Sequence, residues 1–131
     1  MIFADSFYFI ALLNSDDEGH EKAVSLAEEI DEEIVTSYWV LTEVADAFSH
    51  PSSRRKFLEF YDDVSSNALF SIQALSTEDF DKGLLLYRAR PDKAWSLTDC
   101  ISFAVMKERG ITDALTGDHH FKQAGFNVLM K

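Results

Sequence analysis

SLTDCISFAVMKERG, residues 96–110, runs directly into ITDALT, residues 111–116, and this junction decides the fold. Ser96 and Asp99 stand at the S-x-x-D spacing of a helix start, where hydroxyl and acid satisfy backbone N–H groups that the first turn leaves unpaired. Gly110 suits the helix stop, and the short apolar run after it reads as a strand. A helix delivered straight into a buried strand is the grammar of an α/β sheet.

Reading outward extends the same alternation. Upstream, STEDFDKGLLLYRAR (76–90) carries a capping pattern, Ser76 or Thr77 before Glu78 and Asp79, and Pro91 ends that helix. LFSIQAL (69–75) is the clearest strand by pattern, and RRKFLEFYDDV (54–64) is a helix with a basic first turn that begins after the HPSS break (50–53). YWVLTEVADAF (38–48) puts Val40, Val44, Ala47 and Phe48 on one helical face. EIVTS (33–37) reads as a buried strand, and HEKAVSLAEEI (20–30) as a helix with Ala23, Leu26, Ala27 and Ile30 inward. IFAD (2–5) is a further buried strand, and SFYFIALLN (6–14) a helix that Ser6 is placed to cap. Downstream lie GDHHFKQAG and a last apolar run, FNVLM (126–130). Mostly continuous apolar strands between helices predict a parallel sheet covered on both faces, one α/β domain over residues 1–131.

Composition narrows the function classes. Hydrophobic residues make up 47% of the chain, eleven of them Phe, which predicts a packed core rather than disorder. No apolar run reaches the roughly 18–20 residues of a membrane span. The first segment, MIFADSFYFIALLNSDD, lacks a basic start and places Asp5 inside its apolar stretch, so it is not read as a signal peptide; with the single cysteine, Cys100, a cytoplasmic protein is expected. Cys100, on a mostly apolar helix, is read as a small core residue rather than a nucleophile. The net charge of −11, from 23 acidic and 12 basic residues, repels nucleic acid on average. A nucleic-acid substrate then requires metal ions and a local basic patch.

Sites in parallel sheets form at the carboxyl ends of the strands. Asp5 ends the first strand and Asp118 lies two residues beyond the fourth. Asp99 is in the first turn of its helix, and Glu43 in the second turn of the helix after strand two. Two of these acids have a plainer reading. Asp99 serves as a capping-box acid and Asp118 as a helix cap, whereas Glu43, beside an apolar face, is costly unless paired or solvated. Asp5, a carboxylate closing a buried strand, is the hardest to explain away. Two like charges about 4 Å apart repel by roughly 4 kcal/mol at an effective dielectric of 20. Gathering all four therefore requires protonation or a divalent ion. Hard oxygen donors select Mg²⁺ or Mn²⁺, and ions so held support hydrolysis of a phosphodiester. The alternative for ALTGDHHF (114–121), a zinc site on Asp118, His119 and His120, is disfavoured because adjacent histidines are expected to project apart.

The four acids in their contexts, FADSFYFIALLN, TSYWVLTEVADAF, WSLTDCISFAVM and ALTGDHHFKQAGF, resemble the four acidic motifs of the PIN domain, in the same order and over essentially the whole chain. The segment from RPDKAWSLTDCISF to TGDHHF is most like the small prokaryotic VapC-type toxins of toxin–antitoxin pairs. The resemblance implies a three-layer α/β/α sandwich, Mg²⁺- or Mn²⁺-dependent cleavage of RNA, an antitoxin partner and frequent homodimers. By position it makes Asp5, Glu43, Asp99 and Asp118 the metal-binding and catalytic acids, with Ser6 and Thr116 as supporting groups. His120 fits the D-x-H-F ending and is expected to brace the turn; Asp92 and Trp95 belong to the matching stretch without an evident role.

Arg54, Arg55 and Lys56, and the cluster Arg88, Arg90 and Lys93, are candidate RNA contacts, although solvated helix ends are the plainer reading. His20 and His50 have no partner at ligand spacing. Two rival functions remain: a PIN-fold protein-interaction module with weak or no catalysis, suggested by the acidic surface, and a phosphotransferase of the haloacid-dehalogenase type. The latter requires a second Asp two residues after the first, where this chain has Phe7.

Overall fold

The computed structural model describes residues 1–130. Five parallel strands form one sheet: β1 (Ile2–Ala4), β2 (Ile34–Ser37), β3 (Phe70–Gln73), β4 (Asp113–Leu115) and β5 (Asn127–Val128). Their order across the sheet is β3-β2-β1-β4-β5. Seven helices connect and cover them: α1 (Ser6–Leu13), α2 (His20–Glu29), α3 (Tyr38–Ala47), α4 (Arg54–Ser66), α5 (Thr77–Ala89), α6 (Leu97–Arg109) and α7 (His119–Gln123). This is the three-layer α/β/α arrangement the alternation predicts.

The central strand and its neighbour β2 are the driest. All three residues of β1 and all four of β2 are buried, as apolar runs shielded on both faces must be. Phe3 pairs with Val35 on one side and with Ala114 on the other. Even the polar Thr36 is consumed inside the sheet, its hydroxyl donating to the Ala4 carbonyl at 2.9 Å. The strand that looked clearest by pattern, residues 69–75, is an edge: β3 covers Phe70–Gln73 and all four residues are only half-buried. The terminal apolar run supplies the other edge as β5.

Local signals act where expected, with two exceptions. Ser96 and Asp99 form the full capping box of α6, and Gly110 closes that helix at φ 68, in the left-handed region that favours glycine. Ser76 caps α5 by accepting from the Asp79 N–H. Ser6, by contrast, does not cap α1; Asp5 holds the cap position and makes no side-chain capping bond. Ala27 and Ala47, counted among the inward positions of their helices, are exposed, since small side chains at the margin of an apolar stripe lose little by facing water.

Below the sheet's edge the core is strongly aromatic. Phe9 meets Phe60 at 4.9 Å between ring centroids, and Phe103 stands edge-on to both Trp95 and Phe121, at 5.2 and 4.9 Å. α5 and α6 approach so closely that Gly83 sits against the backbone of Ile101, where an added Cβ would stand 2.9 Å from both its Cα and its N. Alanine is the better helix former by about 1 kcal/mol. Backbone cannot yield as a side-chain tip can, so overpacking of about 1–3 kcal/mol should win. Gly83→Ala should therefore lower the urea midpoint; an unchanged or raised midpoint would show that α5 shifts freely over α6.

Candidate active site

β1 and β4 are adjacent, yet the chain leaves them for opposite halves of the sheet, so the crevice beyond their carboxyl ends is the topological switch point. Asp5 stands at the end of β1 and Asp118 just beyond β4, on either side of that crevice. The first turn of α6 brings Asp99 to it, and the second turn of α3 brings Glu43. All four acids line one open cleft of about 390 Å³, together with Ser6, Phe7, Ser96 and His120. The convergence that spacing alone only suggested is present.

Each carboxylate is held by a neighbour of fixed position. Asp5 is buried, 3% exposed, and its Oδ2 accepts from the Thr116 hydroxyl at 3.0 Å. The same Thr116 oxygen accepts from the Asp118 N–H at 3.1 Å, so one side chain joins the first acid to the fourth. The Ser6 hydroxyl, freed from capping, donates to Glu43 Oε1 at 2.7 Å. Asp99 Oδ2 accepts from the Ser96 N–H at 3.1 Å and lies 3.2 Å from His120 Nδ1. Asp118 Oδ1 accepts from the His120 N–H at 2.9 Å, capping α7. Capping and site membership thus coincide for Asp99 and Asp118; neither reading excludes the other.

Among the described residues no lysine or arginine lines the cleft, and the electrostatics record the lack. Burial, then the charge of Asp99, raises the Asp5 carboxyl to about 7, against the opposing bonds from the Ser6 N–H and Thr116. Burial also raises Glu43, despite the Ser6 bond, with Asp99 and Asp118 adding to the rise. Asp99 is raised by burial and by Asp118, with Ser96 and His120 opposing. Two buried acids and one half-buried acid, all pushed toward neutrality, describe a place short of positive charge.

His119 and His120 do not project apart as expected. Their rings lie 4.4 Å apart, and with Asp118 they bring three potential ligand atoms within 4.8 Å of one another. That group is loosely made, because the His119 side chain is 73% exposed and Asp118 Oδ1 already serves the His120 backbone. His20 bonds the Ala11 carbonyl and His50 the Ser52 hydroxyl within its turn, and neither lines the cleft. Cys100 is fully buried.

Sequence reasoning missed two features. His120 reaches across to Asp99, a contact between residues 21 apart that the D-x-H-F spacing does not disclose. Phe7 lies over Gly117, where any Cβ would overlap the ring, so the residue before Asp118 must be small for Phe7 to line the cleft. Trp95 and Asp92 gain structural tasks: the indole N–H donates to Gln123 Oε1 at 3.0 Å. Arg90 grips Asp92 through two bonds of 3.0 Å while lying 5.3 Å over the Trp95 ring.

A parallel sheet with a carboxylate-lined crevice at its switch point defines the class of fold. The chain belongs to the PIN domain family, whose profile matches residues 2–127. It is similar to VapC20 of Mycobacterium tuberculosis, named a 23S rRNA-specific endonuclease, with 29% identity over 129 residues, 96% of this chain and 95% of that one. The crystal structure of VapC20, described as a sarcin–ricin loop cleaving toxin, matches with a TM-score of 0.89 at 25% identity, covering 96% of both chains. FitAcB from Neisseria gonorrhoeae shares the fold, with a TM-score of 0.72 at 17% identity over 98% of this chain and 96% of that one. VapBC2 from Rickettsia felis, bound to a DNA fragment from its promoter, does so with a TM-score of 0.69 at 15% identity over 98% and 97%.

The raised Asp5 predicts a pH response of the metal-free protein. Between its ordinary value of 3.8 and about 7, the folded chain keeps a proton that the unfolded chain releases. Stability then falls as pH rises through that window, by up to roughly 1.4 kcal/mol per pH unit. In the presence of chelator, the melting temperature should drop between about pH 5 and pH 8, and Asp5→Asn should remove most of the drop. Parallel pH curves for wild type and variant would contradict the assignment.

Proposed function

We propose that the chain is a divalent-metal-dependent endoribonuclease, the toxin component of a toxin–antitoxin pair, acting as one domain in the cytoplasm. The observation that carries this reading is the convergence of Asp5, Glu43, Asp99 and Asp118 on one cation-free cleft, in a chain similar along almost its whole length to an RNA endonuclease. The donor set fits a hard ion: every acid offers carboxylate oxygen, and among the described residues no lysine or arginine of the cleft offsets the charge they share. Asp5, Glu43, Asp99 and Asp118 would together hold Mg²⁺ or Mn²⁺. Such an ion, when bound, supplies Lewis acidity and lowers the pKa of a water beside the phosphodiester.

The chain's own groups do the positioning. Thr116 fixes the Asp5 carboxylate and, through the Asp118 N–H, the start of α7. Ser6 orients Glu43 in the cleft by donating to its Oε1. His120 steadies Asp99. Phe7, seated on Gly117, narrows the mouth. A homodimer and an antitoxin partner accompany this reading by similarity to the VapC-type toxins; one of the similar folds was solved as VapBC2 on promoter DNA.

Purified protein should cleave RNA with added Mg²⁺ or Mn²⁺ and stop on chelation. Asp99→Asn should reduce cleavage to background, and Thr116→Val, which keeps the shape but loses both bonds, should cost about 10- to 100-fold. Equal cleavage by wild type and Asp5→Asn would expose a contaminating nuclease and sink the reading. Tight binding of a neighbouring gene's product without cleavage of any RNA would favour the interaction module instead.

A further inference from the structure

A polyanion that enters an acidic cleft needs its positive contacts beside it. Of the 12 basic residues, four spend their charged ends on bonds within the described residues. Arg54 donates to the Ser49 carbonyl, Lys82 is shared by Glu78 and Glu108, Arg90 is tied to Asp92, and Arg109 reaches Gln73. Arg88 and Lys93, among the basic residues left without such a bond, are set apart by their place. Neither has a carboxylate partner within 4.0 Å among the described residues, and both line a pocket of about 670 Å³ with Tyr87, Pro91 and Trp95. Ala94 is a wall of this pocket and also of the four-acid cleft. Lys93 stands three residues before Ser96, which lines the cleft, so the two are no more than about 10 Å apart along the chain.

We infer that this pocket is a subsite for single-stranded RNA, with Arg88 and Lys93 receiving phosphate of the strand that flanks the bond to be cut. Tyr87, 49% exposed, offers a ring face to an unpaired base. The inference rests on the endoribonuclease reading and deepens it. Of the basic cluster 88–93, Arg90 is excluded from contact duty: its guanidinium is spent on Asp92 and on the Trp95 face, where it stiffens the pocket wall. Helix-end solvation accounts for Arg88, which lies in the last turn of α5, yet it does not account for Lys93, which lies beyond the helix, or for the exposed Tyr87 in the same pocket. In a chain of net charge −11, two unpaired cations beside the acidic cleft give an approaching strand a direction.

The test uses the full chain and a fluorescein-labelled single-stranded RNA of mixed sequence. Binding is read by anisotropy over a salt series in an Asp99→Asn background, and cleavage in the otherwise wild-type protein. Arg88→Gln with Lys93→Gln should weaken binding roughly tenfold and reduce the salt slope by about 1.4, the amount for two phosphates of a single strand. KM should rise by a similar factor while kcat stays within about twofold. Tyr87→Leu should raise KM and Tyr87→Phe restore it, a pattern that loss of bulk alone does not give. Lys22→Gln with Lys107→Gln, which removes the same charge elsewhere, should leave the slope unchanged. If the subsite pair and this control pair behave alike, the subsite is overturned while endoribonuclease activity stands. If wild type neither binds nor cleaves RNA, both fall together. An acidic peptide held by Arg88 and Lys93 while RNA binding ignores them would assign the pocket to a protein partner and overturn the proposal.

Discussion

A single threonine hydroxyl holds this site together. Thr116 donates to Asp5 and accepts from the N–H of Asp118, joining two residues more than a hundred positions apart at the crevice between β1 and β4. The bond matters because the groups it organises repel one another. Asp99 raises the need of Asp5 for a proton, Asp118 that of Asp99, and Glu43 feels both Asp99 and Asp118. A parallel sheet with buried central strands is what makes the arrangement tolerable: β1 is too deeply packed for Asp5 to turn outward to water. The fold thus stores an electrostatic deficit at its switch point, and a cation is the simplest charge that removes it.

Much of the molecule's economy lies in residues that serve two ends. Asp99 closes a capping box while standing in the cleft, and Asp118 caps α7 in the same way. A carboxylate at a helix N-terminus is favoured by the helix dipole and by unpaired N–H groups, so two of the four acids are placed by local helix chemistry before any ligand arrives. Ser6 shows the opposite choice. It stands one residue late to cap α1, and its hydroxyl is left for Glu43.

The parts legible in the sequence are those governed by local rules. Strand–helix alternation, the S-x-x-D start and Gly110 stop of α6, and the acid that ends β1 all follow from short-range chemistry, and the fold and the cleft follow from them. What was illegible depends on partners distant in the chain. Pattern made residues 69–75 the best strand, yet strand order put β3 at an edge, because apolar alternation does not say which neighbour covers it. The 4.4 Å approach of His119 and His120 depends on where the first turn of α7 begins, so spacing alone misjudged it. Likewise Arg90, grouped by sequence with Arg88 and Lys93, proves to be bound to Asp92 and Trp95, a distinction only side-chain geometry draws.

The central claim is that the four carboxylates form the cation site, and anomalous diffraction from crystals soaked in Mn²⁺ tests it most directly. The account predicts a peak in the cleft, about 2.1 Å from oxygens of Asp5 and of Asp99 or Asp118. A peak found only among Asp118, His119 and His120, or no peak in the cleft at Mn²⁺ concentrations that support cleavage, would contradict it.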